Sequence, residues 1–189
     1  MGCGDAQASD AVRNWKYVAG SPRAFKLVLL EMISVLKEQY SLVKSSRTIV
    51  FEFIDTCVGK DLNTAVPAFD DKTMRYLLVH TANTYVHWLH NFALQKQAEF
   101  ADDSEFTDVE QVKSLYEKTD KVMEAFLAVF SGRLDEAISG TLSGNRVASA
   151  TPLQLFTHAI THEFHHKGQI MTMCRLLGYP PPDTDIIRF

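Results

Sequence analysis

Apolar residues return every three to four positions over most of this 189-residue chain, and four stretches keep that spacing long enough to predict amphipathic helices. In the first, Leu29, Leu30, Ile33, Leu36, Leu42, Val43, Ile49, Val50, Phe53, Ile54 and Cys57 mark one long helix or two shorter ones between Phe25 and Val58. The run Ile49 to Ile54 is β-branched and aromatic and also suits a strand, but the period of its flanks favours helix. Gly59, Asp61, Asn63 and Pro67 then punctuate a loop. Asp70 or Asp71 is expected to cap a second helix with the apolar face Met74, Leu77, Leu78, Thr81, Tyr85, Trp88, Leu89 and Phe92. The acidic run from Glu99 to Glu110 reads as a solvated loop. Beyond it Val112, Leu115, Tyr116, Val122, Met123, Phe126, Leu127 and Phe130 mark a third helix.

Gly132 to Ala150 is rich in Gly, Ser and Asn and lacks an amphipathic period, so it reads as a long connection. The fourth helix has the best-marked start: Thr151 as N-cap, Pro152 at the first helical position and Gln154 where a capping box needs it. It is expected to run to about Leu177, stopped by Gly178 and the prolines at 180 to 182. The chain therefore reads as an all-α domain over residues 25–189 behind a poorly ordered N-terminal extension, 1–24, with Met32 as an alternative start.

A net charge of -4 without a cluster of Lys and Arg argues against nucleic acid as a partner and leaves a small-molecule substrate as the expectation. The longest apolar run, Leu27 to Leu36, contains Glu31 and is far shorter than the roughly 18–20 residues of a membrane span. Met1-Gly2-Cys3-Gly4-Asp5-Ala6 lacks the Ser or Thr that a myristoylation signal carries where Ala6 stands. Cys3, Cys57 and Cys174 are odd in number and widely spaced, which suggests neither disulfides nor a zinc knuckle. These features fit a cytoplasmic protein with no membrane partner.

The chemistry concentrates in the fourth helix, which carries His158, His162, His165 and His166. Helical residues four apart lie ~5–6 Å apart at Cβ, so the pairs 158/162 and 162/166 can each direct two imidazoles at one divalent ion. A third ligand is expected from the second helix, since side chains from different helices converge inside a bundle. His80 and His87 are the candidates there, with His90 less well placed. Two turns separate His80 from His87, so one of them would be left to bond a ligand imidazole from outside or to sit at the surface.

The order Leu77-Leu78-Val79-His80-Thr81, Trp88, His162-x-x-x-His166-Lys167-Gly168-Gln169-Ile170 and Leu176-Leu177-Gly178-Tyr179-Pro180-Pro181-Pro182-Asp183-Thr184-Asp185 resembles the DinB-like (DinB/YfiT-type) metalloprotein family from about Tyr40 onward. The resemblance implies a four-helix bundle, often a homodimer, with a divalent ion held by three histidines: His80, His162 and His166. It makes His158 and His165 neighbours of the site. Zinc, nickel and ferrous iron all accept three imidazoles. Some relatives are thiol-dependent transferases, so the resemblance also implies a low-molecular-weight thiol as co-substrate and an electrophilic small molecule as its target, with hydrolysis as the other route. A non-catalytic metal-binding or stress-response bundle is the competing expectation. Lys167 departs from the Arg commoner in the family, and the first ~35 residues have no counterpart in its usual short N-terminus.

Around the implied ligands, Gln169 is placed either to donate to a substrate or to bond within the bundle. Asp185 matches an acidic position of the family's terminal block and is expected to orient a ligand imidazole. Glu163, about 100° from its neighbour His162, reads as an exposed charge or one bonding a ligand from behind. Cys174 reads as a small buried apolar residue, with a place at the metal as the alternative.

Overall fold

The computed structural model describes residues 22–142 and 145–188. Residues 1–21 of the expected extension lie outside the described residues, and 22–24 belong to the first turn of helix α1 (Pro22–Phe53). α1 is one continuous helix through Ile49–Phe53, so the strand alternative is overturned there. The reason is visible in its buried row: Ile33, Leu36, Tyr40, Val43, Arg47, Val50 and Ile54 follow one another at alternating steps of three and four, a helical seam that a two-residue period cannot present to one core.

α1 ends in a wide turn over Ile54–Val58, closed by the Gly59 N–H on the Ile54 carbonyl. Helix α2 (Met74–Tyr85) begins at Thr73, whose hydroxyl accepts from the Tyr76 N–H. Asp70 and Asp71 are not its caps: both take positive φ (53° and 56°) in the turn that pairs Val66 with Lys72, so the cap falls two residues beyond Asp71, at Thr73. α2 continues as a π-helical stretch, Val86–Ala93, closed by the Leu94 N–H on the Leu89 carbonyl. Helix α3 (Val109–Val129) is capped by Asp108, and helix α4 (Pro152–Leu176) by the full reciprocal capping box of Thr151 and Gln154. The stretch expected as an irregular connection holds an antiparallel hairpin of β1 (Ile138–Leu142) and β2 (Arg146–Ala150). Its inward residues Ile138, Leu142, Ala148 and Ala150 pack on the core, an alternation hidden by its small residues.

The core divides into two apolar halves. One gathers Ile54, Leu62, Met74, Leu78, Val112, Tyr116, Ile170, Met173 and Cys174; the other gathers Ile33, Tyr85, Leu89, Met123, Phe126, Leu155 and Phe156. Between them lies a polar layer to which every helix contributes: Arg47, Thr81, Thr119 with Asp120, and Glu163. The chain is thus a helical bundle with a small hairpin appended. Among the described residues no helix is long and apolar enough to cross a membrane.

Candidate metal centre

At the level of that polar layer, His80 of α2 meets His162 and His166 of α4. One ring nitrogen of each lies within 4.8 Å of the other two. The His162 and His166 Nε2 atoms are 3.0 Å apart, and the His162 and His80 Nε2 atoms 3.3 Å. His166 is buried, while His80 and His162 are half-buried, so the cluster lies at the edge of the bundle rather than in its dry interior.

Proton positions can be assigned from the neighbours. The Gln169 Oε1 carbonyl is 2.6 Å from His166 Nδ1 and accepts its proton, which leaves His166 Nε2 a bare lone pair. If His162 Nε2 donates to that lone pair, it has none left with which to accept from His80; if it accepts from His80, it faces His166 lone pair to lone pair. No arrangement of neutral imidazole protons satisfies both short contacts. A cation shared by the three nitrogens satisfies all of them, and ligands at ~2.0–2.1 Å in tetrahedral geometry stand ~3.3 Å from one another. The donor set therefore fits a metal ion, which His80, His162 and His166 would hold.

The electrostatics agree with neutral ligands. Burial, reinforced by His166 and His80, holds the His162 pKa down to about 4. His80 is lowered by burial and then by Lys72. His166 is lowered by burial, against an opposing pull from its bond to Gln169. Tyr76 stacks on His80 at 5.9 Å between ring centroids with the rings 4° from parallel, fixing that ring from the far side.

Glu163, read from the sequence as exposed or as bonding a ligand from behind, does neither. It is 7 % exposed and bonds Arg47 twice, from Nε to Oε1 at 2.7 Å and from Nη2 to Oε2 at 3.1 Å. Tyr85 donates to the same carboxylate at 2.5 Å, and Arg47 Nη1 reaches Asp120 at 2.7 Å, where Tyr40 also donates. The Arg47 guanidinium lies over the Tyr116 ring, 4.5 Å from its centroid. The 100° that separates Glu163 from His162 turns it onto the buried seam of α4 (Phe156, Ala159, Glu163, His166, Ile170, Met173). Arg47 was not singled out from the sequence, although its place in the seam of α1 carried the signal: a cation on a core face requires a buried partner.

The other expected residues fall outside the cluster. Asp185 is exposed, its own backbone N–H bonded to Asp183, and it makes no hydrogen bond to an imidazole; Gln169 occupies that role on His166. His87 packs against Trp88 and Phe100, at 4.7 and 5.9 Å, rather than against the three histidines. His158 and His165 are exposed neighbours. Cys174 is fully buried, its Sγ 3.4 Å from the Met74 Sδ, and burial pushes its thiol up to about 11. Lys167 donates to the Thr184 carbonyl and the Ser46 hydroxyl.

A helical bundle with an edge cluster of three imidazoles contributed by two of its helices defines a class of protein that could hold a metal ion. The family model of the DinB family matches residues 32–189, and the chain belongs to that family. No curated protein sequence matches it.

Proposed function

We propose that this protein is a divalent-metal-dependent enzyme that joins a low-molecular-weight thiol to a small electrophilic molecule, or hydrolyses such a molecule. The observation that carries the reading is the convergence of the His80, His162 and His166 Nε2 atoms, whose lone pairs cannot all be satisfied by protons. Three neutral ligands leave the ion its full charge and an open position, the composition of a reactive centre rather than a closed structural one. A bound ion would lower the pKa of a thiol or water beside it toward neutrality.

The chain's own residues supply the rest. His80, His162 and His166 would hold the ion; Gln169 keeps His166 in the Nδ1–H tautomer; Tyr76 and the Arg47–Glu163 layer keep the rings and the helix in place. The solvent-side position of His80 and His162 lets a reacting thiol lose its proton to bulk water. Zinc, nickel and ferrous iron all suit this donor set. A cytoplasmic homodimer is the expected form. The exposed apolar row Val28, Met32, Val35 and Leu42 on α1, at heptad-like steps beside the buried seam, supports the pairing of two copies.

Elemental analysis of untagged protein beside His80→Ala and His162→Ala tests the centre: about one transition metal per chain is expected in the parent and none in either variant. A panel of thiols and electrophiles, followed by mass spectrometry of the conjugates, tests the chemistry. Failure to retain zinc, nickel or iron after loading would overturn the catalytic reading.

A further inference from the structure

The solvent side of the three-histidine cluster continues into a row of rings that the metal centre does not use. From His162 the row passes to His158 at 5.5 Å between centroids, from His158 to Trp88 at 5.6 Å, and from Trp88 to His87 at 4.7 Å, with Phe100 a further 5.9 Å from His87. α4 supplies His158 one turn before His162. The π-helical stretch of α2 supplies His87 and Trp88 two turns beyond His80, and π-helical insertions of this kind recur at functional sites. These rings are half-buried or exposed, and Phe100 keeps 54 % of its surface in water although it adjoins the aromatic row.

The hairpin brings a charge to the same end. Gly140 of β1 lies against the Phe92 ring, where an added Cβ would stand 3.1 Å from it, so the hairpin seats directly on the π-helical stretch. Arg146 is paired with Leu142, which packs on the core, so it stands on the inward side of the hairpin, the side that meets Phe92 and, 5.6 Å beyond, Trp88; after the effect of burial its charge also lowers the His87 pKa. Arg146 is exposed and makes no ion pair among the described residues. The rings stand mostly edge to face, 78° apart both at His158–Trp88 and at Trp88–His87, and a guanidinium with no ion pair among the described residues stands on the hairpin beside them. Such a row matches a small aromatic molecule carrying an acidic group, since aromatic rings pair edge to face and Arg pairs with a carboxylate through two parallel bonds.

We propose that the His158–Trp88–His87 row and Arg146 form the substrate seat of this centre, and that the substrate is a small aromatic carboxylate whose acidic group lies at Arg146 and whose reacting end points to His162. This rests on the three-histidine reading above for its reaction, but not for its binding.

The test uses full-length protein loaded with zinc, its zinc content measured, titrated calorimetrically with trans-cinnamate and with cinnamamide, the neutral molecule of the same shape. Cinnamate is expected to bind at least about tenfold tighter, the size of one charge-assisted contact at a solvent-exposed site. Arg146→Gln should remove that preference. His158→Ala, a change of an exposed side chain, and Trp88→Leu should weaken both ligands alike, all three variants keeping the parent's zinc. Equal binding of acid and amide, no binding by zinc-loaded parent, or a preference that survives Arg146→Gln would overturn the seat, the last because the carboxylate would then be going to the metal. Protein that holds no zinc yet binds cinnamate with the same dependence on Arg146 would support the seat and sink the metal reading.

Discussion

Arg47 and Glu163 face each other across the bundle from the buried seams of α1 and α4, joined by two parallel hydrogen bonds with each residue 7 % exposed. Every remaining polar atom of the pair is engaged: Asp120 and Tyr40 on the guanidinium, Tyr85 on the carboxylate. Because Glu163 immediately follows His162 and precedes His166 by less than a turn, the pair sets the rotation of α4 about its axis. With Glu163 held inward, His162 is turned about 100° away, toward α2 and His80. The polar layer and the histidine cluster are thus two sides of one helical segment.

That coupling predicts a particular pattern of stability. Removing one partner strands a buried charge, so Arg47→Met or Glu163→Leu should each cost about 3–5 kcal/mol, whereas the double variant should cost well under the sum of the two. Denaturant unfolding of the four metal-free proteins measures this. The single variants that remain folded should also bind zinc more weakly than the parent, although neither residue is a ligand. Additive costs with unchanged zinc affinity would show the pair to be independent of the site.

Gln169 is predicted to act through His166 alone. Its carbonyl fixes the imidazole tautomer at 2.6 Å, so Gln169→Leu should lower zinc affinity about 10–100-fold, the usual effect of removing a hydrogen-bond partner from a ligand histidine. Competition with a chromophoric chelator reads this out. Gln169→Glu keeps an acceptor at the same place and should retain the affinity. If Leu and Glu behave alike, the bond has no role in holding the ion.

How far the sequence foretold this site depends on which kind of information each part needs. The helices were legible because they follow from spacing within one segment, and so was a chelating pair on α4, although spacing left 158/162 and 162/166 both open and only the family resemblance chose the second. The cap at Thr151 was legible for the same reason. The third imidazole was not: spacing left His80 and His87 open, and only the family resemblance chose His80, since the pairing of α2 with α4 is a tertiary fact. Glu163 was misread because its angle to His162 was known but the direction of the core was not. Arg47 escaped because it is the charged member of an apolar seam, which a search for apolar residues passes over. The hairpin was hidden by small residues whose alternation becomes apolar and polar only against a packed surface.

The depressed imidazoles set the response to acid. His162 has a folded-state pKa of about 4 against an ordinary value of 6.5, so between those limits the unfolded chain binds the extra proton and stability rises with pH. Metal-free protein should therefore lose stability steadily as pH falls from 6.5 toward 4. His162→Ala should lose less over the same interval, as thermal melts at stepped pH would register. The sign carries over to the metal: protons compete with it, and at an apo site this reluctant to protonate, half-release of zinc should fall below pH 6.5. Release centred above that pH would mean that the imidazoles are ordinary ones brought together only loosely.

The C-terminal segment is anchored on the same stretch of α4. Lys167 donates to the Thr184 carbonyl at 2.7 Å and to the Ser46 hydroxyl at 3.1 Å, and Ser46 itself donates to Thr184 at 2.6 Å. Burial lowers the Lys167 pKa, and its ammonium lies 4.2 Å from the centroid of the Phe164 ring, so the cation is held in a fixed place and is not free to grip a ligand. An Arg at this position would offer a fork; Lys offers a single charged point, and the tail has taken it. Lys167→Met should therefore cost about 1.5–3 kcal/mol, and Ser46→Ala about 1 kcal/mol because the lysine still satisfies Thr184. Both changes should speed hydrogen exchange in residues 180–188, more so for Lys167→Met, while zinc affinity stays within about threefold of the parent's because neither side chain touches an imidazole. A large fall in zinc affinity without faster exchange of the tail would instead assign Lys167 to the metal centre.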